Sequence, residues 1–139
     1  MSSPTTYDAI HDRLVGAWTA TPLVFENEIS QMLVKAKATF VYVEIYGDTY
    51  DQETFGAPQA NQWLETGVCY LNVMTPAGSG SRAARVHANN LLNLFREQPI
   101  AQLYMPEMSI GAGEPGQDFP NYFALTASIH WYRRDITSL

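Results

Sequence analysis

Cysteine, basic residues and histidine are all scarce in this chain: one Cys, eight Lys and Arg together, and three His in 139 residues. A lone Cys69 can close no internal disulfide, so the sequence reads as that of a protein folding in a reducing cytoplasm on the strength of its core. Eight basic residues against fourteen acidic ones give a net charge of −6. The basic residues form no stripe, which argues against a nucleic-acid binder. No apolar run approaches the ~18 residues that cross a bilayer, so no membrane is expected. The opening MSSPTTYDAI lacks a basic segment followed by an apolar one, and no signal peptide is expected. What the chain does have is 46% apolar and 12% aromatic residues. That is enough to bury one core and too much for disorder, so residues 1–139 read as a single domain.

Periodicity divides that domain into two helices and about five strands. Tyr7, Ile10, Leu14 and Trp18 recur every three or four residues, as the apolar face of a helix does, and Thr5 with Asp8 suggests its capping box. Leu23 to Asn27 reads as a short strand. Alternation is clearer from Ala38 to Tyr46, with Val41, Val43 and Ile45 on one side and Phe40, Tyr42, Glu44 and Tyr46 on the other. A strand from Gly67 to Met74 follows, then a helix from about Ser81 to Glu97 with Ala84, Ala88, Leu91, Leu92 and Phe95 as its stripe. Met108 to Gly111 is a short strand, and Asn121 to Arg133 is a long one that alternates Phe123, Leu125, Ala127, Ile129 and Trp131 against Tyr122, Thr126, Ser128, His130 and Tyr132.

Two helices can cover only one face of such a sheet, so the aliphatic side is the core side. The other side collects Tyr42, Tyr46, Tyr70, Tyr122 and Tyr132. Two readings fit it, an ordinary amphipathic outer face or the aromatic, charge-poor core of an interface. Two stretches read as long loops, Gly47 to Gln62 and Ala112 to Pro120, where a hairpin needs only ~2–5 residues. Tyr50, Phe55 and Phe119 on them are candidate subunit contacts, together with Tyr42 and Tyr132.

Residues with chemical potential are dispersed. His11, His87 and His130 lack the spacing that places two ligands on one helical face. Asp48, Asp51 and Glu53 form D-x-x-D-x-E without the calcium-loop spacing or its glycine, which reads as a solvated acidic loop; no metal ligand is assigned. Cys69 falls mid-strand on the core side, where a thiol is an inert small hydrophobe. There is no G-x-S-x-G elbow, and no catalytic residue is assigned. Gly78-Ser79-Gly80-Ser81-Arg82-Ala83 matches G-x-G-x-x-A between a strand and a helix, the setting of a pyrophosphate cradle. However, Thr75-Pro76-Ala77 separates strand from glycine, no acidic residue follows at the right place, and a Walker lysine is missing. A flexible entry to a helix N-cap explains the same residues, so no cofactor is expected.

The order of these segments resembles the tail-terminator proteins of long-tailed phages and of gene transfer agents, the family of the lambda-type minor tail protein that caps the tail tube. The resemblance runs from a helix ending near Trp18 through Thr21-Pro22-Leu23 and Asn27. It continues with V-Y-V-E-I-Y, an acidic loop ending in Gly56, and Gly67-Val68-Cys69-Tyr70-Leu71-Asn72-Val73. Pro76-x-Gly78-x-Gly80 before the long helix, Asn121-Tyr122-Phe123 and a final strand to Arg134-Asp135 complete it. It covers nearly the whole chain, and order and spacing carry it because each motif is short.

The resemblance implies an α+β fold: a mixed, mainly antiparallel sheet of four to five strands with two helices on one face. It also implies a hexameric ring without enzymatic activity, in a virion or phage-like particle tail assembled in the bacterial cytoplasm. The implied partners are other copies of the chain, the tail tube protein and a head-side connector or stopper, with DNA passing through the channel unbound. The alternatives are another neck component, a head–tail connector or tail completion protein, and a small nucleotide-binding module using Gly78 and Gly80.

Overall fold

The computed structural model describes residues 3–28, 38–78, 80–112 and 122–136. Helix α1 spans Pro4–Ala17, followed by strands β1 (Leu23–Phe25), β2 (Phe40–Gln52) and β3 (Gln62–Pro76). Helix α2 spans Arg82–Phe95, and strands β4 (Leu103–Ala112) and β5 (Tyr122–Ile136) complete the fold. The sheet order is β1-β2-β3-β5-β4. β1 runs parallel to β2 and the other neighbours are antiparallel, so the α+β expectation of a mixed, mainly antiparallel sheet holds.

Both helices bury their stripes on one side of this sheet. Ile10, Leu14 and Trp18 of the α1 segment and Ala84, Ala88, Leu91 and Phe95 of α2 share a cluster with Val41, Val43, Ile45, Cys69, Leu71, Val73, Leu125, Ala127, Ile129 and Trp131. These strand residues sit at odd positions that the register places side by side, as in Val43↔Leu71 and Leu71↔Ala127. The Arg13 Nε also donates to the Leu94 carbonyl at 2.9 Å, setting a cation on the carbonyl end of α2. The opposite face is not uniformly wet: Val24, Phe40, Met74 and Ala124 are buried there, flanked by Tyr42 and Tyr122. Phe123 departs from its expected core position and is exposed.

Several boundaries differ from the sequence reading, each for a local reason. The α1 N-cap is Ser3, not Thr5: its Oγ accepts from the Thr6 amide, and Pro4 occupies the first turn, where its missing N–H costs nothing. The expected loop from Gly47 to Gln62 is strand over its first six residues, Gly47 to Gln52, and again at Gln62. One extra residue between Gly47 and Tyr50 forms a bulge, after which pairing resumes as Tyr50↔Glu65, Asp51↔Leu64 and Gln52↔Trp63. The bulge breaks the period of two, so the alternation that marks a strand is interrupted while the strand goes on. Only residues 53–61 connect the two strands. A second irregularity between Tyr104 and Glu107 lets β4 run through Pro106, which an edge strand at a bulge tolerates. Gly67 lies opposite Trp131, and a Cβ there would overlap the indole and the Tyr46 carbonyl oxygen, so only glycine leaves room for that ring.

Candidate interaction surfaces

The bulge decides where Tyr50 points. By simple alternation it would share the outer face with Tyr42 and Tyr46; the extra residue turns it onto the helix-side face beside Glu65. Its ring lies 5.1 Å from that of Trp63, and its hydroxyl donates to both Asp135 carboxylate oxygens at 3.0 Å. Burial, then the bond to Asp135, raises its pKa. Tyr50 is therefore tied to its own sheet, and the projecting part of the hairpin begins beyond it.

Asp135 belongs to a charged cluster that the sequence reading missed. Glu65 has no exposed surface and faces Arg133 across β3 and β5. The Arg133 Nε and an Nη donate to one Glu65 oxygen at 3.0 and 2.9 Å, and the same Nη reaches Asp135 at 3.2 Å. Three further donors come from the start of α1: the Ser3 amide at 2.8 Å, the Ser3 hydroxyl at 2.9 Å and the Thr6 hydroxyl at 3.0 Å. Burial alone would raise the Glu65 pKa, yet these hydrogen bonds hold it below the ordinary glutamate range. The cluster thus fastens the N-terminus of α1 to the middle of the sheet. A signal was present in the sequence: Glu65 keeps the odd phase of Cys69, Leu71 and Val73, and a charge on a core phase demands a buried partner.

Beyond Tyr50 the hairpin tip is exposed from Asp51 to Ala60. Asn61, almost fully buried, organises it by accepting from the Ala57 amide and the Thr54 hydroxyl. Gly56 turns the chain at φ 96°. Phe55 at this tip is 92% exposed. The acidic residues of the segment do not converge: Glu53 pairs with Arg134 at 2.9 Å and accepts from Gln62 at 2.8 Å, while Asp48 sits at the bulge and Asp51 on β2.

The outer face carries the expected tyrosines. Tyr42 and Tyr132 are half-buried, the latter 6.3 Å from the exposed Tyr104. Tyr122 donates to the Ala38 carbonyl, and Tyr46 stacks edge-on to Tyr70. The Tyr46 hydroxyl donates to Glu44, which raises its pKa, and Glu44 also receives Asn72 Nδ2 at 2.9 Å. Thr126 donates to Asn72 at 2.6 Å, so a polar chain crosses β2, β3 and β5. Phe119 lies outside the described residues.

The other candidates stay apart. His11 stacks on Tyr7 and lies against Phe25, His87 meets Trp18 edge-on, and His130 is exposed on β5. Among the described residues no group of three His, Cys, Asp or Glu is placed to hold a metal ion. Cys69 is fully buried, and burial pushes its thiol pKa far above the usual range. Gly78 and Gly80 adopt φ of 90° and 80° and line a shallow cleft with Pro76, Tyr122 and Phe123. Both β-sheet neighbours of β3 are antiparallel to it, so α2 does not belong to a βαβ unit of the dinucleotide-binding type.

At the β4 edge of the sheet, the C-terminal end of α2 and edge strand β4 enclose an open cleft of about 610 Å³, where Phe95, Leu103, Met105 and Met108 meet the polar Arg96, Glu97 and Gln98. Among the described residues no helix is long and apolar enough to cross a membrane.

No protein-family model matches the chain, and no curated protein matches it. The fold itself recurs among solved structures. One chain, whose name states no function, superposes with a TM-score of 0.60 at 19% identity, covering 100% of this chain and 98% of its own. Identity that low shows the shared fold alone.

Proposed function

We propose that this chain is a structural subunit of a phage-type tail, a terminator that caps the tail tube as a ring and meets the head-side connector. Its role in that reading is to stop tube polymerisation and pass DNA without binding it, with no catalysis of its own. The observation that carries the proposal is the β2–β3 hairpin, which extends past the sheet and ends in a fully presented Phe55. An aromatic ring carries a large apolar area to bury, so one presented at a hairpin tip is available to a partner's surface. The order of elements along nearly the whole chain, which resembles tail terminators of phages and gene transfer agents, supplies the identity of the assembly. Another neck component would use the same hairpin and is the second reading.

Tube capping separates the two readings. Purified tail tube protein polymerising in the presence of this chain should give tubes of arrested length with the chain at one end, as seen by negative-stain microscopy. Continued elongation with no end-bound density would contradict the terminator role and leave the connector reading.

A further inference from the structure

We propose that the outward face of α2 in one copy packs on the hairpin-side half of the outer sheet face in a second copy; this rests on the ring reading above. Both described helices cover the same side of the sheet, so neither shields the other side. That outer side is closed at one end, where Phe40, Met74, Asn72 and Thr126 are buried, and open at the other. At the open end Tyr46 is 46% and Tyr104 63% exposed, and the exposed Glu107 and His130 stand opposite each other on β4 and β5. Asp48, Thr66, His130 and Tyr132 line a shallow cleft there, at the bulge. The β2–β3 hairpin extends from this same end, so the open half-face and Phe55 lie at one end of the molecule.

Charge selects the occupant. Glu44, Asp48 and Glu107 belong to the outer face, and the hydrogen bonds that Glu44 accepts come from the neutral Tyr46 and Asn72. Arg134 is the cation of this face among the described residues, and Glu53 already holds it at 2.9 Å. The matching surface is on the same chain. The exposed positions of α2 include Arg82, Arg85, Val86, Asn89 and Asn93, and the helix contains no acid. Neither arginine makes an ion pair among the described residues. Arg13 is engaged by the Leu94 carbonyl, Arg133 by Glu65 and Asp135, and Arg96 is followed by Glu97. The first turns of α2 are thus the acid-free cationic surface of the described chain. A guanidinium pairs with carboxylates and stacks on tyrosine rings, and this face offers both.

Helix layer and outer face lie on opposite sides of one subunit. The contact is therefore heterologous, the type that closes into a ring when the rotation permits, and it gives the sheet a second covered face. Charge reversal tests it. Arg82→Glu with Arg85→Glu sets acid against acid, and Asp48→Arg with Glu107→Arg sets base against base. All four positions are exposed, so melting should stay at the wild-type value. Each pair of substitutions should weaken self-association roughly tenfold or more in sedimentation velocity. A chain carrying all four has the complementarity restored with the signs exchanged, and should assemble as the wild type does. The second pair also separates local pairing from net charge. It brings the chain to −6 + 4 = −2, which lowers mutual repulsion and would strengthen association if net charge alone mattered.

Unchanged or stronger assembly of the Asp48→Arg, Glu107→Arg chain would overturn the joint and leave the ring reading standing. So would a four-fold variant that stays as weak as either pair. Arg82→Glu, Arg85→Glu rings of normal mass that fail to bind tail tubes would overturn it in favour of the tube protein as the partner of α2. A wild type that assembles neither alone nor on tubes would overturn the joint and the ring together.

Discussion

Glu65 is the side chain that ties the start of α1 to β3 and β5. It sits without solvent contact between a guanidinium and the first turn of a helix. Glu65→Gln leaves Arg133 buried with only the partly exposed Asp135 as a counter-charge, and should destabilise by about 3 kcal/mol, the scale on which breaking one side of a buried pair acts. The double variant Glu65→Gln with Arg133→Met removes both charges and should cost less than the single one, measured by urea unfolding. The pH dependence follows from the lowered Glu65 pKa. A carboxyl with a folded pKa below its unfolded value stabilises fully above the unfolded pKa of about 4.3, and that stabilisation fades as pH falls through the folded value. Urea midpoints should therefore drop below about pH 4 in the wild type and drop less steeply in Glu65→Gln. Parallel slopes would show that Glu65 is not the group responsible.

Among the elements, the β2–β3 hairpin carries the contact on which the proposed function rests. Its paired stem, through Gln52 and Gln62, is part of the sheet, and its tip is not. Removing residues 49–56 would take Tyr50 away from Asp135 and Trp63 and so damage the fold. Replacing residues 54–60 by Asn-Gly keeps the stem and should leave circular dichroism and melting temperature unchanged while self-association disappears. A fall in melting temperature of several degrees would mean that the tip supports the core.

This element also shows what was legible in the sequence. Helix stripes and three alternating strands were readable because burial on one face imposes periods of 3.6 and 2. Gly47 to Gln52 was not, because a bulge shifts the phase by one residue and the exposed arm offers no burial to restore it. Phe55 was recognisable as an apolar residue in a polar stretch. The cleft at β4 was invisible, since it joins residues 95–98 and 103–108 through a tertiary contact that no local period encodes. The start of α1 was misplaced for a related reason: the Ser3 cap is completed by Glu65, 62 residues away.

For the molecule as a whole, charge and assembly pull in opposite directions. In the proposed ring, six copies at −6 each would place 6 × (−6) = −36 on one assembly. Such a field would repel the phosphates of DNA threading the proposed channel, which would suit passage without adhesion. It would also oppose closure of the ring, so association would have to come from apolar contacts and from the local pairs proposed between α2 and the outer face. Salt screens the long-range repulsion as the Debye length shortens toward ~8 Å, while partly buried pairs are screened much less. Ring formation should accordingly strengthen between low and physiological ionic strength.

Sedimentation velocity of the purified chain across that salt range, repeated with tail tubes present, tests the central claim most directly. With a chain mass of 15.5 kDa, six copies give 6 × 15.5 = 93 kDa. The account predicts a closed species near that mass that grows at the monomer's expense as salt rises, or that appears on addition of tubes. A 15.5 kDa monomer at every salt and concentration, with tubes as without, would contradict it.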